Sequence, residues 1–407
     1  MHMTPAFSII IPVFNKWELT RNCLENIAKY TPEYDFEVIV ADNASTDATA
    51  VELAPLGEGL FKKRFTRLRF EENRNFGPAC NAGAKAASAP LLFFLNNDTL
   101  LTEGWAPPLL ERLHGGNAPG AVGPLLLYED GTVQHLGVSL APSGFTHLYR
   151  GFPHSHPVVG RPRQLQAITA AALMMPADLF AECGGFFEGY INGFEDVELC
   201  LRIRGNGKSL ACVTSSVVFH LESQTPGRKR NDDHNARLLR ERCEAYFYVD
   251  LHHHGVRDGF TAFVDDVLDI SLKLAPEDEA RLTEESRKLG PADWYRLSRE
   301  HPFWVAGKQM LAEALERQGQ HQEALHMRAE IASQLQTADS YKSLIRAAAK
   351  AGNSATLSLA EKHLRLITEY KENAEKARRY VKYVLAHTAG RQDAFLESLY
   401  EEKLSAL

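Results

Sequence analysis

The chain has 407 residues, 44% hydrophobic and 24% charged, with a formal net charge of −7. That length exceeds one ordinary domain and supplies a sizeable core, so two domains are expected. The acidic balance speaks against a general nucleic-acid binder, and no apolar run nears the roughly 20 residues of a membrane-spanning helix.

From the N-terminus, Phe7–Val13 is a near-continuous apolar run, the pattern of a strand buried on both faces. It begins almost at once, leaving no room for a secretory signal. Residues 16–30 show helical spacing through Trp17, Leu19, Leu24 and Ile27, and residues 36–40 read as a second strand. Ser45-Thr46-Asp47 can cap a helix over 48–53. A third strand at 67–70, an Ala-rich helix at 78–87 and a strand at Leu91–Leu95 follow. Strands alternating with helices imply right-handed crossovers and a mostly parallel, Rossmann-like sheet. Beyond it, 115–123 reads as loop and 133–140 as strand, with a Pro-, Gly- and His-rich loop at 141–163. Strands at 167–175 and 209–218 and helices at 177–183, 195–206 and 237–249 complete a first domain over 5–245. From about Phe260 strand signals nearly vanish, so 246–300 reads as a helical linker and 301–407 as an all-α domain. Helix pairs at 311–325 and 344–359 break at Gly319 and Gly352, an offset close to the tetratricopeptide period. That tail is either a structural or oligomerising appendix or a docking surface for a protein partner. Six singly scattered cysteines without a Cys-x-x-Cys pair fit reduced thiols in a cytoplasmic protein.

Asn96-Asn97-Asp98 ends the apolar strand Leu91–Leu95. A carboxylate there lies at the C-terminal edge of the sheet, where open α/β sheets bind ligands, and can hold a divalent cation. Asp42 ends the second strand in the same way. Each is also an ordinary turn or cap former when taken alone. Glu195-Asp196 opens a helix, where carboxylates also offset the macrodipole. Glu198 and Arg202 have the spacing of a structural i,i+4 pair.

Taken in order, these segments carry a pattern: Ile11-Pro12-Val13-Phe14-Asn15, Ala41-Asp42-Asn43, Asn73-Arg74-Asn75-Phe76-Gly77, Asn81-Ala82-Gly83, Asn96-Asn97-Asp98, Gly193-Phe194-Glu195-Asp196-Val197-Glu198-Leu199-Cys200-Leu201-Arg202, and His220. The series resembles the inverting glycosyltransferases of family 2, which have the GT-A fold, over about the first 240 residues. The resemblance implies a metal-dependent transfer of a sugar from a nucleotide diphosphate sugar to a hydroxyl on a saccharide, lipid-linked or protein acceptor. By the family pattern, Pro12, Val13, Asn15, Asp42, Arg74, Asn75, Asn81, Asn96, Asn97 and Asp98 contact the donor. Asp98 and His220 hold Mn2+ or Mg2+, and Asp196, or its neighbour Glu195, is the general base. Gly77 and Gly83 would admit the ligand close to the backbone. The family's metal motif usually reads Asp-x-Asp, so Asn96 removes one negative charge. The segment Asp130-Gly131-Thr132-Val133-Gln134-His135-Leu136-Gly137 looks like bacterial members that build rhamnose-containing or O-antigen polysaccharides. Basic residues at 226–230 read as a flap over a diphosphate or as a contact to an anionic membrane, which extends the expected location to the inner membrane face. The competing reading is a non-catalytic nucleotide-sugar-binding scaffold that works through its helical tail.

Overall fold

The computed structural model describes residues 4–31, 33–221, 231–386 and 393–405; the basic stretch 226–230 lies outside them. The chain divides into two units, one of 1–139 and 147–247, the other of 140–146 and 248–407.

The first unit is built on a nine-stranded sheet. Its strands are β1 (Phe7–Val13), β2 (Phe36–Asp42), β3 (Phe65–Arg69), β4 (Leu91–Leu95), β5 (Thr99–Leu101), β6 (Ala121–Leu127) and β7 (Val133–His135). In chain order a short pair apart from the sheet, β8 (Val138–Ala141) and β9 (Gly144–His147), comes next, most of it in the 140–146 segment of the second unit; the sheet resumes with β10 (Ala172–Pro176) and β11 (Leu210–His220). The order is β3-β2-β1-β4-β10-β6-β11-β5, with β7 on β6. The helices are α1 (Trp17–Tyr30), α2 (Thr49–Phe61), α3 (Phe76–Ala86), α4 (Ala106–His114), α5 (Ala177–Glu182), α6 (Glu195–Gly205) and α7 (Asp232–Cys243). This is the α/β layering that the GT-A resemblance implies. The strands β3, β2, β1 and β4 run parallel, β10 runs against both β4 and β6, and β11 runs with β6. The C-terminal ends of β1, β2, β4, β6 and β11 therefore share one edge with the N-terminal end of β10.

The core explains why that edge is polar. Apolar side chains fill both faces of β1 and β4, and Trp105 stacks on Phe93 at 4.7 Å between ring centroids. Burial leaves only the strand ends for polar residues. Gly83 is needed for packing: a Cβ there would stand 2.4 Å from Cγ2 of Ile10, so the glycine brings α3 onto β1 rather than onto a ligand. At Gly77 a Cβ would meet the Phe186 Cβ and the Phe187 carbonyl oxygen at 3.4 Å, an ordinary contact.

Several boundaries differ from the sequence reading. The strand expected over 133–140 breaks at Gly137, whose φ of 109° lets the chain turn out of the ladder. The strand expected from 167 starts at Ala172, because Thr169 and Ala170 give their N–H groups to side chains instead. Opposite Pro124, which has no N–H to offer, β11 shifts register between Val213 and Val217.

The second unit begins with α8 (Leu251–Arg257) and continues with a hairpin, β12 (Phe260–Val264) and β13 (Ile270–Leu274). The stretch past Phe260 is thus not wholly helical. Phe260, Ala262 and Val264 are buried, alternate with half-buried positions and pair with Leu274, Leu272 and Ile270, a period-two signal obscured by its brevity. The rest is helical: α9 (Pro276–Ser286), α10 (Pro291–Glu300), α11 (Val305–Arg317), α12 (His321–Leu335), α13 (Ala338–Lys350), α14 (Ser354–Glu372), α15 (Ala374–Ala386) and α16 (Ala394–Ser405). The turns between α11 and α12 and between α13 and α14 use Gly319 and Gly352, both at positive φ. Leu325, Ala332, Tyr341, Leu344, Ala347, Ala348, Ala360 and Ile367 form a core across α12–α14. Among the described residues, no helix is long and apolar enough to cross a membrane.

Candidate active site

The shared sheet edge assembles the site from separate loops. After β4, Asn96 continues the ladder by donating its N–H to the Ala171 carbonyl at 2.9 Å, and the Asn97 side chain donates to Thr20 Oγ1 at 2.8 Å. Asp98 is buried, and its Oδ1 stands 3.1 Å from Nε2 of His220 at the end of β11. The Asn96 amide nitrogen lies 3.5 Å from the same Nε2. The Asn96, Asp98 and His220 side chains thus meet at one point, 122 positions of chain separating the carboxylate from the imidazole.

Gln134, in the short strand β7, fixes the orientation of that imidazole. Its Nε2 donates to the His220 carbonyl at 3.0 Å, which turns its Oε1 towards Nδ1 of His220, 2.5 Å away. An amide oxygen only accepts, so Nδ1 carries a proton, and Nε2 is the nitrogen that faces Asp98 Oδ1. At 3.1 Å this nitrogen and the carboxylate oxygen either share a proton or hold a cation between them. A histidine held at one nitrogen with the other aimed at a carboxylate is the arrangement of a metal ligand. The donor set of imidazole plus carboxylate fits a divalent ion.

The chain before β10 is fastened residue by residue. Thr169 donates its N–H to His135 Nε2 at 3.1 Å, Ala170 to Asp196 Oδ2 at 3.1 Å, and Ala171 accepts from Asn96. Burial, with the nearby rings of His147 and His220, drives the His135 pKa well below the usual imidazole value, so it remains a neutral acceptor. Through Ala170 and Ala171, Asp196 is tied to the loop that carries Asp98. Asp196 is half-buried, whereas Glu195 is 3% exposed and packs beside Gly77 and Cys80. Burial raises the Cys80 thiol far above its usual value, and the negative charge of Glu195 adds to that shift. Glu198 is fully buried and accepts from Arg202 and, at 3.0 and 3.1 Å, from Arg242, the structural role its spacing suggested. Phe194, which precedes α6, has a φ of 74°, and Asn192 has 49°. Asn235 of α7 holds this strained loop through both the N–H and the carbonyl of Ile191.

At the β1 and β2 ends, Asn15 accepts the N–H of Thr46 at 2.7 Å and donates its own to Ser45 Oγ at 2.8 Å. Pro12 and Val13 pair in register with Ala41 and Asp42, and Val13 accepts from the Asn43 N–H. Asp42 is fully buried. Its Oδ2 accepts from Arg67 and Arg69, each at 2.6 Å, and its Oδ1 from the Ser45 N–H. Residues 67 and 69 lie two apart on β3 and so share a face. Burial pushes this carboxyl up, but Arg67, Ser45 and Arg69 together hold it below the usual carboxylate range. Arg74 is exposed and its guanidinium lies 4.9 Å from the centre of the Phe70 ring. Asn75, at a φ of 67°, accepts from the Asn192 side chain. Asn81 is committed to the protein, bonding the Phe186 N–H and carbonyl and Glu188.

The structure therefore brings Asn96, Asp98, His220 and Asp196 into one network, with Asn97 anchored alongside. Pro12, Val13, Asn15 and Asp42 line neighbouring strand ends, and Arg74 and Asn75 precede α3. Sequence reasoning passed over Gln134, His135, Asn43, Asn192 and Asn235. Gln134 and His135 stood inside a segment already singled out, and two polar residues inside an apolar run were the available signal.

Fold and site together define an α/β domain whose ligand groups gather at the C-terminal edge of its sheet. Residues 8–165 match the family model Glycosyl transferase family 2. The O-antigen biosynthesis protein RfbC of Myxococcus xanthus is 31% identical over 229 residues, covering 54% of this chain and 18% of that protein. The validoxylamine A glucosyltransferase of Streptomyces hygroscopicus subsp. limoneus is 35% identical over 122 residues, covering 29% and 26%. The chain spans less than half the length of these curated relatives. Among solved structures, GalNAc-T7 with UDP, GalNAc and Mn2+ is 19% identical with a TM-score of 0.46, over 56% of this chain and 45% of that one. TarS 1–349 of S. aureus is 14% identical with a TM-score of 0.45, over 90% and 91%. Both scores indicate a likeness too loose for comparing sites.

Proposed function

We propose that the protein is a metal-dependent inverting glycosyltransferase that moves a sugar from a nucleotide diphosphate sugar to a hydroxyl acceptor in surface polysaccharide or glycoconjugate synthesis. The observation that carries this reading is the Asp98–His220 pair, with its imidazole locked by Gln134 at the sheet edge that also holds Asp196. Asp98 and His220 would hold Mn2+ or Mg2+, which when bound supplies positive charge against the leaving diphosphate. Asn96 and Asn97 bring amides rather than charge to the same loop. Asp196, more open to solvent than Glu195, takes the proton from the acceptor hydroxyl. The new bond from that oxygen to the anomeric carbon forms as the bond to the diphosphate oxygen breaks, and the configuration inverts. Pro12, Val13 and Asn15 form the floor on which the nucleotide is expected to rest. Asp42 and Asn81 act one step back, Asp42 by fixing Arg67 and Arg69 and Asn81 by fixing the loop at Phe186. The relationship to an O-antigen biosynthesis protein supports a polysaccharide acceptor.

Calorimetric titration of UDP-, GDP-, dTDP- and CDP-sugars, with and without Mn2+, tests this. One donor should bind in a metal-dependent way, Asp98→Ala should abolish that dependence, and Asn96→Asp should preserve or tighten it. If Asp98→Ala binds the donor with Mn2+ as well as the unaltered protein does, the metal assignment is wrong.

A further inference from the structure

Among the described residues, one group of three metal-ligating side chains converges: His252, His253 and Asp393, whose ligand atoms all lie within 4.8 Å of one another. All three belong to the second unit and none enters the site above. We propose that they form a separate site for a divalent transition-metal ion of the zinc class, which clips α8 to the N-terminal end of α16.

Two imidazole nitrogens aim at a single oxygen. Nε2 of His252 lies 2.8 Å and Nε2 of His253 lies 2.7 Å from Asp393 Oδ2. The other oxygen, Oδ1, accepts the Leu396 N–H at 3.0 Å and so caps α16. Capping therefore accounts for half of this carboxylate and leaves Oδ2 to the histidines. The His252 ring is fully buried, and its Nδ1 has no hydrogen-bond partner among the described residues. The desolvation of that ring must be offset at Nε2 alone, and a metal bond does so more strongly than a neutral hydrogen bond. The His253 side chain is 53% exposed, so solvation gives it no reason to turn towards an oxygen already engaged.

Two imidazoles and a carboxylate are the donor set of borderline divalent ions. Around a tetrahedral ion with bonds of about 2.1 Å, ligand atoms stand about 3.4 Å apart. The two nitrogen–oxygen separations, 2.8 and 2.7 Å, need to open by about 0.6–0.7 Å to reach it. Phe395 lies 5.6 and 6.2 Å from the two rings and covers the cluster on one side. Three protein ligands leave a fourth position for water.

The test uses the full chain stripped with a chelator, titrated with Zn2+ by calorimetry and with Co2+ by visible absorption. His253→Ala removes an exposed ligand without opening the core, and Asp393→Asn keeps an oxygen to cap α16. Each should lower the Zn2+ stoichiometry by one equivalent or weaken that equivalent by at least about tenfold. Zn2+ should raise the Tm of the unaltered protein, and raise it less in either variant. The same equivalent should persist in Asp98→Ala, which separates this site from the sheet edge. Absence of Zn2+ binding to the unaltered chain would overturn the proposal, as would unchanged stoichiometry and affinity in both variants.

Discussion

In the first unit Asp98 meets His220 across 122 positions, Ala170 meets Asp196 across 26 and Asn81 meets Glu188 across 107. In the second, Arg296 finds Asp293 and Glu300 within one turn of its own helix, and Arg281 finds Asp278 and Glu285 likewise. The first kind of contact requires a completed fold and holds groups in fixed positions. The second forms locally and contributes a few tenths of a kcal/mol per pair. The contrast separates chemistry from architecture: strand ends deliver polar groups from distant parts of the chain to one edge, whereas helix faces satisfy theirs nearby. The cluster of His252, His253 and Asp393 departs from the second pattern, reaching across 141 positions, as does the Lys403–Asp266 pair across 137; the cluster differs from that pair in joining two imidazoles to one carboxylate oxygen.

The strongest way to break the comparison is at Asp196. Asp196→Asn keeps an oxygen for the Ala170 N–H and removes the ability to accept a proton near neutral pH. Donor affinity should stay nearly unchanged while transfer falls by about 10²–10⁴-fold, the range of general-base catalysis. Glu195→Gln, buried beside α3, should cost less turnover. The measurement is steady-state transfer alongside donor titration. If Glu195→Gln is inactive while Asp196→Asn transfers normally, the base is Glu195, and equal activity in both reduces the pair to a helix start.

Strands β1 to β4, β10 and β11, many helices and the order of the site segments were legible because their signals are local: apolar runs, helical spacing, polar triplets at strand ends. Strand β5 and the buried strand β6, whose first residues fall in the loop expected over 115–123, were not read. Asp98 and His220 were nameable from the motif series. What stayed hidden depends on pairing across the chain. Nothing in the sequence near Asp42 announces that Arg67 and Arg69 converge on it. Asn81 read as a ligand group until the fold gave its amide to Phe186 and Glu188. The 260–274 hairpin was missed because two five-residue strands carry too few alternations to stand out from surrounding helix. Three consecutive histidines stand at 252–254, but nothing in the sequence shows that Asp393 meets the first two of them.

A smaller effect is expected at Asp42, where a buried charge joins two arginines. Removing it leaves Arg67 and Arg69 facing each other, with a cost of about 3 kcal/mol, reduced by the half-open position of Arg69. The folded-state pKa of Asp42 lies below its usual value, so the charge stabilises the fold above that usual value and the benefit disappears as pH falls through the lowered one. The Tm gap between the unaltered protein and Asp42→Asn should be full near pH 7 and shrink below the carboxylate range. A gap that does not change with pH would mean that shape rather than charge holds this corner.

The smallest effect sharpens the comparison from the other side. Thr337 opens α13 with a reciprocal cap: its side chain accepts the Ser340 N–H, and the Ser340 hydroxyl oxygen accepts the Thr337 N–H. Thr337→Ala removes one of these bonds and should cost about 1 kcal/mol of stability. In a unit of this size that lowers Tm by about 2–4 °C. Because the cap is satisfied within four residues, its loss should stay within the helical array, leaving donor affinity and turnover within about twofold of the unaltered protein. A larger change in either would show that the helices help to set the geometry at the sheet edge, and the division between locally satisfied architecture and long-range chemistry would have to be abandoned.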